Sequence, residues 1–203
     1  MRQMRRLKGL PIVSALLVGI NLVVFLGEYL TQDALVNSGG LQRTAIMEYH
    51  QYGRLVWAMF LHSDISHLFN NMIILFFLGS MLEKEVGHLW FTGIYFLSGI
   101  GGNLVSLAVK VLEQSDVPSI GASGAVFGLD GLLLALVLFS QSFRNTATPT
   151  RVILMIVLSL YNGFTGQNID NAAHVGGLVV GLAAGMVCVF FRKLSGGKRE
   201  VQI

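Results

Sequence analysis

Three stretches of this sequence place polar side chains inside long apolar runs, where such groups are costly and mark candidate sites. Ser123 lies in SIGASGAVFGLDG, and His174 lies near the start of NAAHVGGLVVGLAAG. His67 and Asn71 stand four residues apart in HSDISHLFNN, so both side chains share one face of a helix. A serine, a histidine that can take its proton, and a pair of N–H donors are the groups that nucleophilic serine catalysis requires.

Each of these residues also has a plain structural interpretation. Ser123 is small enough to serve only as a packing residue where two helices touch. His174 by itself equally fits a histidine bonded to a loop carbonyl, and His62 fits helix capping or bracing of a loop. The surroundings of Ser123 read G-x-S-G, with alanine at position 125, so the nucleophile elbow of soluble hydrolases is not indicated. The catalytic interpretation therefore depends on whether the three stretches meet in space.

Small residues predict how two of the stretches meet. The helix of His174 and the helix of Ser123 each carry a stripe of small residues at intervals of three or four, namely Gly177, Gly181 and Gly185 in the first and Gly124, Gly128, Gly131 and Ala135 in the second. Such stripes let two helix backbones approach closely. We therefore predict that these helices pack together with His174 beside Ser123, where it can make the serine a nucleophile.

The start of the helix that carries Ser123 adds an electrostatic argument. Pro118 ends the preceding element and Ser119 is a candidate cap, which puts Ser123 in about the first turn. The N–H groups of that turn lack intrahelical partners, and the positive end of the helix dipole is near. A negative oxygen that develops beside Ser123 would be stabilised there.

The composition shows which elements must position these groups. Of the 203 residues, 53% are hydrophobic and only 12% are charged, whereas a soluble domain has about 25% charged residues. We predict an all-α polytopic membrane protein, one domain over residues 1–203, with six apolar helices at about 11–30, 68–82, 90–109, 123–139, 152–164 and 172–191. Several are shorter than the roughly 20 residues of a full span, which predicts a water-filled cavity on one side. The single cysteine, Cys188, excludes an internal disulfide and fits a packing role.

The basic residues predict the orientation of the six spans. Both chain ends lie on one side, which holds 11 of the 14 lysines and arginines and is therefore expected to be cytoplasmic. We expect a basic N-terminus (1–10) and a basic C-terminal tail (192–203) there, with the first helix retained rather than cleaved. The long loop 31–67 then lies outside, and its aromatic and aliphatic residues predict a partly interfacial segment. The net charge of +3 follows from this topology, and no basic stripe with interleaved aromatics indicates nucleic-acid binding.

Three motifs in order make the pattern specific: HxxxN at the outer end of the second helix, GASG at the start of the fourth, and AHxxGxxxG in the sixth. The chain resembles the rhomboid family of intramembrane serine proteases over about residues 54–185, which is most of its length. The resemblance implies a six-helix rhomboid bundle in which Ser123 is the nucleophile and His174 the general base. It also implies that Asn71 and His67 are side-chain donors of an oxyanion hole, completed by the N–H of Ser123.

The same resemblance assigns supporting positions and marks two departures. His62 matches a near-site histidine that is mostly structural, and Arg54 matches the arginine of a Trp-Arg motif whose tryptophan is replaced here by Gly53. Phe127 stands where relatives often carry a tyrosine that stacks on the histidine. The resemblance also implies that four glycines are packing positions near the site: Gly121, Gly124, Gly177 and Gly181. The two departures concern loop anchoring and orientation of the histidine, not the serine and histidine themselves.

The function that the resemblance implies is cleavage of transmembrane protein substrates near the outer membrane face, without cofactor or metal. The setting would be a bacterial cell membrane, in contact with lipid, with substrates passing sideways between the second and fifth helices. The sequence names neither a substrate nor an oligomeric state. The alternative is an inactive rhomboid-like protein that binds transmembrane helices without cutting them, although Ser123 and His174 are both present. A transporter would be expected to show inverted repeats, and none is seen.

The position of Asp130 inside an apolar helix makes two other classes of intramembrane protease worth testing against the sequence. Leu129-Asp130-Gly131 looks like part of a motif of site-2 metalloproteases, but those also need H-E-x-x-H, and none of the five histidines is followed by glutamate. Aspartyl proteases need a second membrane-embedded carboxylate at the same site, which we do not find. Seven helical residues put Asp130 roughly 10 Å from Ser123, too far to act as a third member of a triad. The sequence therefore gives Asp130 no partner and no role.

Overall fold

The computed structural model describes residues 10–32, 34–140, 143, 148–165 and 169–197. Within these ranges the chain forms six long helices and no β-strand, apart from one antiparallel bridge between Leu41 and Ser119. We number the long helices α1 (Ile12–Leu30), α2 (Ile65–Val86), α3 (His88–Glu113), α4 (Ser123–Phe139), α5 (Pro149–Thr165) and α6 (Asn171–Gly197). Four short helical segments lie between α1 and α2: Ala34–Gly39, Arg43–Met47, Arg54–Trp57 and Ala58–Phe60. The all-α prediction is confirmed.

All six predicted helices are present, and α4 has the predicted bounds. Helices α2, α3 and α6 run further than their apolar cores, partly because charged residues at their C-terminal ends, such as Glu83, Lys110 and Arg192, have good helix propensity. Helices α1, α2, α3 and α6 are long and apolar enough to cross a membrane, whereas α4 and α5 have 17 residues each. Most of the basic segments predicted for the chain ends, residues 1–9 and 198–203, lie outside the described residues.

Helix α4 lies at the centre of the bundle, since 13 of its 17 residues are buried. Its small-residue face packs on α6, as the glycine stripes predict. Gly177 faces the carbonyl of Gly124, and Gly181 faces that of Gly128, so closely that a Cβ on either residue of α6 would collide with the backbone of α4. This backbone contact holds the first turns of α4 and α6 at one level.

A buried carboxylate fastens α1 to α2. Glu83, near the end of α2, accepts hydrogen bonds from the backbone N–H groups of Val13 and Ser14, both at 2.8 Å, and from the Ser14 hydroxyl at 2.6 Å. Its other neighbour is His88, whose Nδ1 lies 2.6 Å from Glu83 Oε1. Helix α1 has no side-chain cap of its own at Pro11. A negative group supplied by α2 therefore satisfies the free N–H groups at the start of α1.

The first loop is tied to the segment before α4 through its backbone. Leu41 and Ser119 exchange both N–H···O bonds, at 2.9 and 3.0 Å, and the N–H of Gly121 donates to Ala58 O at 2.9 Å. The prediction that Ser119 caps α4 is wrong, because the bridge draws its backbone away and Ala122 precedes the helix without a side-chain cap. Exposed side chains remain along the loop, as a segment in the membrane interface requires: Met47, Tyr49, Tyr52 and Trp57.

Asp130 lies on α4 with only 5% of its surface exposed, and the described residues offer its carboxyl group no hydrogen bond. Burying an unsatisfied polar group costs about 1–3 kcal/mol. Replacing Asp130 by leucine is therefore expected to raise the thermal unfolding midpoint by several degrees, measured on the detergent-purified protein. Asp130→Asn, which stays polar and similar in shape, should gain much less. A lower midpoint for the leucine variant would show that the carboxyl group has a stabilising partner.

Candidate active site

Ser123 is the first residue of α4, so its own N–H has no carbonyl acceptor within the helix. The chain reaches it through Gly121, whose φ of +126° is rare for residues with a side chain. A Cβ added at Gly121 would lie 2.7 Å from His67 Nε2 and 3.6 Å from Ser123 Oγ. Glycine at this position thus leaves the space between His67 and Ser123 open.

The structure brings Ser123 and His174 together. His174 Nε2 lies 2.9 Å from Ser123 Oγ, although the residues are 51 positions apart in the chain. For the hydroxyl to donate this hydrogen bond, Nε2 must be bare and Nδ1 must carry the ring hydrogen. Among the described residues no group accepts a hydrogen bond from Nδ1. Within the described part of the chain, therefore, no third side chain orients the ring in the way that an aspartate does in a triad.

Phe127 supplies part of the orientation instead. Its ring stacks on His174 with the centroids 4.3 Å apart and the planes 20° from parallel. Phe127 lies one turn after Ser123 on α4, and His174 is 7% exposed. The departure from tyrosine at this position thus keeps the ring contact and loses only the hydroxyl group.

Asp170 positions His174 in a way that the sequence analysis missed. Its Oδ1 accepts the N–H of Ala173 at 3.0 Å, its backbone carbonyl accepts the N–H of His174 at 3.2 Å, and its Oδ2 accepts a hydrogen bond from the Ser106 hydroxyl on α3. The first turn of α6 is therefore capped and fastened to α3 at once. The cap could have been predicted, because an aspartate just before an apolar helical run is a common helix-capping pattern. Nothing in the sequence around Ser106 indicates its bond to Asp170.

His67 and Asn71 lie on one face of α2, as their spacing predicts. Asn71 is 5% exposed and donates one amide hydrogen to His67 O at 3.1 Å, which leaves its second amide hydrogen for another acceptor. His67 Nε2 borders the gap beside Ser123 described above. Within the described part of the chain no hydrogen bond joins Asn71 to Ser123, so its place in an oxyanion hole is a proposal.

His62 and Arg54 brace the surroundings of the site, and their hydrogen bonds go to residues other than Ser123. His62 is 2% exposed, its N–H donates to Glu28 Oε1 at 3.0 Å, and its ring packs edge-on against His67 at 5.1 Å. Burial, with a smaller effect of His67, lowers the pKa of His62 to about 4, so His62 is neutral at pH 7. Arg54 donates to the carbonyls of Asn37 and Gly40, at 3.2 and 2.7 Å, and so anchors the loop without the tryptophan that Gly53 replaces.

A sequence profile described as the Rhomboid domain matches residues 49–191, more than half of the chain and all three polar stretches. The chain belongs to the rhomboid family. Two similar proteins are the rhomboid protease GluP of Bacillus subtilis, 32% identical over 181 residues, and RHOMBOID-like protein 5 of Arabidopsis thaliana, 38% identical over 151 residues. These alignments cover 87% and 73% of this rhomboid chain.

The rhomboid chain spans less than half the length of these relatives, 34% of GluP and 48% of RHOMBOID-like protein 5. A third relative carries a different description: Inactive RHOMBOID-like protein 8 of Arabidopsis thaliana is 35% identical over 149 residues, which is 72% of this chain and 41% of that protein. Membership therefore shows an integral membrane protein of a family that contains proteases. Catalysis by this chain has to be argued from its own site.

Proposed function

We propose that this chain is an intramembrane serine endopeptidase that cleaves transmembrane segments by a serine–histidine dyad. The observation that carries the proposal is the 2.9 Å contact between His174 Nε2 and Ser123 Oγ. A histidine at that distance can take the hydroxyl proton, which turns a weak nucleophile into an effective one. The inactive alternative is disfavoured because both members of the dyad are present and already in contact.

The reaction proceeds in two halves. His174 Nε2 takes the proton from Ser123 Oγ while Oγ bonds to the peptide carbonyl carbon, and the carbonyl oxygen becomes an oxyanion. We place the N–H of Ser123, His67 and Asn71 around that oxyanion as donors. The C–N bond then breaks, His174 returns the proton to the leaving amine, and an acyl-enzyme remains. Water attacks this ester with His174 again as the base, which releases a carboxylic acid and restores Ser123.

The substrates we propose are transmembrane segments of other proteins, cut near the outer face of a bacterial cell membrane. Ser123 lies at the start of α4, near one end of the bundle, and Glu83 fastens the opposite end. The excess of basic residues in the segments on the Glu83 side is the basis for assigning that side to the cytoplasm. Water for the second half of the reaction then comes from the outer side.

The proposal is tested with purified protein, a model single-span substrate and a serine-reactive fluorophosphonate. The wild type is expected to cut the substrate and to take up the label, and Ser123→Ala should do neither. Labelling of the alanine variant would show that the nucleophile is a residue other than Ser123. Inhibition by a chelator without labelling would indicate a metalloprotease, and substrate binding without cleavage or labelling would favour an inactive rhomboid-like protein.

Asn71→Ala is expected to lower kcat by about 10²-fold and to leave KM within about twofold, because an oxyanion-hole donor acts mainly in the transition state. The measurement is steady-state cleavage of the same model substrate. The matched control is Asn70→Ala, since Asn70 is the adjacent asparagine on an exposed part of α2. An unchanged kcat for Asn71→Ala would remove this residue from the oxyanion hole.

A further inference from the structure

An open groove lies at the end of the bundle that Glu83 fastens. Its volume is about 620 Å³, and three parts of the chain form it: Pro11 at the start of α1, one face of α2, and Phe143 between α4 and α5. We call it the α2 groove. The residues of α2 that line it are Phe76, Phe77, Ser80, Met81, Lys84 and Glu85. These residues lie outside the set assigned to the catalytic site, so the groove has to be explained separately.

The α2 groove is apolar at one end and charged at the other. Phe76 and Phe77 leave 45% and 69% of their surfaces exposed, on a helix apolar enough to cross a membrane. Lys84 follows Phe77 by seven residues, which places it roughly 10 Å further along the helix axis. A ligand that fills both ends must therefore be amphiphilic, with hydrocarbon beside the phenylalanines and a polar group beside Lys84.

The charge of Lys84 is not compensated by a neighbouring carboxylate. Glu85, which also lines the groove, pairs instead with Arg192, whose Nη1 lies 3.3 Å from Glu85 Oε1. Glu83 is occupied by the start of α1 and by His88. In the part of the chain that the structure describes, Lys84 forms no ion pair. A free ammonium group at the edge of an apolar groove favours an anionic ligand.

Ser80 adds a hydrogen-bond donor to the same wall. Its Oγ is buried and has no hydrogen-bond partner among the described residues. Ser80 and Lys84 stand four residues apart, so their side chains share one face of α2. A buried hydroxyl group without a partner costs free energy. A phosphate group in the groove would remove this cost, because its oxygens can accept hydrogen bonds from the Ser80 hydroxyl and the Lys84 ammonium together.

The sequence next to the groove favours an external anion over the chain's own segments. Residues 1–10, which lead into Pro11, contain four basic residues and no acidic one, and Arg144 directly follows Phe143. These charges have the same sign as Lys84, which would repel such segments and attract an anion. Basic pockets between transmembrane helices on the cytoplasmic side are typical sites for anionic lipid head groups.

We propose that the α2 groove binds one anionic phospholipid of the leaflet that we assign to the cytoplasm. The phosphate lies at Lys84 and Ser80, and an acyl chain runs along Phe76 and Phe77. The bound lipid contacts α1, α2 and the segment after α4 together, so it stabilises their packing by mass action. This inference goes beyond the proposed function and does not depend on cleavage.

Native mass spectrometry of the full chain, purified in detergent and supplied with dioleoyl phosphatidylglycerol, tests the site. We expect the wild type to retain one molecule, with an affinity at least about fivefold higher than for dioleoyl phosphatidylcholine, which has the same chains and no net charge. Lys84→Gln should lower the affinity for phosphatidylglycerol by about fivefold and remove this preference. Saturating phosphatidylglycerol should raise the thermal midpoint of the wild type by several degrees more than phosphatidylcholine does, and the two lipids should act equally on the variant.

The matched control is Arg151→Gln. Arg151 is an exposed basic residue at the start of α5, at the same end of the bundle, and does not line the groove. We expect its replacement to change the affinity for phosphatidylglycerol by less than twofold. Equal losses in Arg151→Gln and Lys84→Gln would contradict the proposal, because the lipid would then be attracted by diffuse surface charge and not held in the groove.

A second variant tests the groove without changing its charge. Ser80→Phe places a ring in the groove and keeps Lys84, so preferential retention of phosphatidylglycerol should be lost while the circular dichroism stays that of the wild type. A variant that still retained the lipid would place the binding site elsewhere and overturn the proposal. If Ser80→Phe does not fold, Lys84→Gln and its control still decide the question.

Two further outcomes would assign the groove to another occupant. Glycerol 3-phosphate that displaced phosphatidylglycerol at equal concentration would indicate a site for small anions, not for a lipid. A wild type without preference for phosphatidylglycerol would leave the groove to one of the chain's own flanking segments. Either result would overturn the lipid site and leave the catalytic proposal intact, whose failure would show instead as absent cleavage and absent labelling of Ser123.

Discussion

Alanine in place of His174 is expected to lower kcat for a transmembrane substrate by about 10⁴-fold, with KM changed little. The loss is large because, among the described residues, His174 alone has a basic group in hydrogen-bond contact with Ser123 Oγ, so the hydroxyl proton would have to leave to water. The comparison is steady-state cleavage in proteoliposomes, with the circular dichroism of each variant checked first. Uptake of the fluorophosphonate should fall in parallel, since labelling requires the same activated oxygen.

Two control variants separate the base from its surroundings. Phe127→Leu keeps both members of the dyad and removes only the stacked ring, so we expect a loss of roughly tenfold, in line with the strength of an aromatic contact. His50→Ala removes an exposed histidine of the first loop and should leave kcat unaffected. A His174→Ala variant that stays within tenfold of the wild type would show that another group is the base.

Gly181→Ala is expected to destabilise the bundle by at least about 3 kcal/mol, the upper end of the usual cost of overpacking. The added methyl group would collide with the backbone of Gly128, which cannot rotate away as a side chain can. Relief would require α6 to move off α4, and this would draw His174 away from Ser123. We therefore expect a thermal midpoint lower by roughly 10 °C, and cleavage reduced even in the folded fraction.

The matched control for this substitution is Gly93→Ala. Gly93 is also a helical glycine, on α3, but a Cβ there meets no atom within 4 Å. The gain in helix propensity should make this change neutral or stabilising by about 0.5–1 kcal/mol. If both variants had the same thermal midpoint, we would conclude that Gly181 is not required for close packing of α4 against α6.

The sequence predicted the parts of the structure that depend on periodicity. The bounds of α4 followed from a single apolar run. The approach of His174 to Ser123 followed from small residues at helical spacing in two segments whose order in the chain sets them at one membrane depth. Such patterns depend on residue type and interval alone, so they can be read before any coordinates are known.

The parts that could not be predicted depend on single hydrogen bonds between distant segments. Glu83 reaches the start of α1 across 69 or 70 positions, and Ser106 reaches Asp170 across 64. Neither pair leaves a repeating signal, because one carboxylate and one hydroxyl suffice. The cap assigned to Ser119 was wrong for the same reason, since its backbone pairs with Leu41 from a remote loop. Among the residues that the structure describes, Asp130 has no hydrogen-bond partner either.

The bridge between Leu41 and Ser119 also has a consequence for how this protein can change over evolutionary time. Its hydrogen bonds join main-chain atoms, as does the bond from Gly121 to Ala58. Main-chain bonds do not depend on the identity of the side chain, and among common replacements proline alone removes the donor at position 119. Exposed side chains of the first loop can therefore be substituted during evolution while the backbone of the segment that leads to Ser123 keeps its conformation.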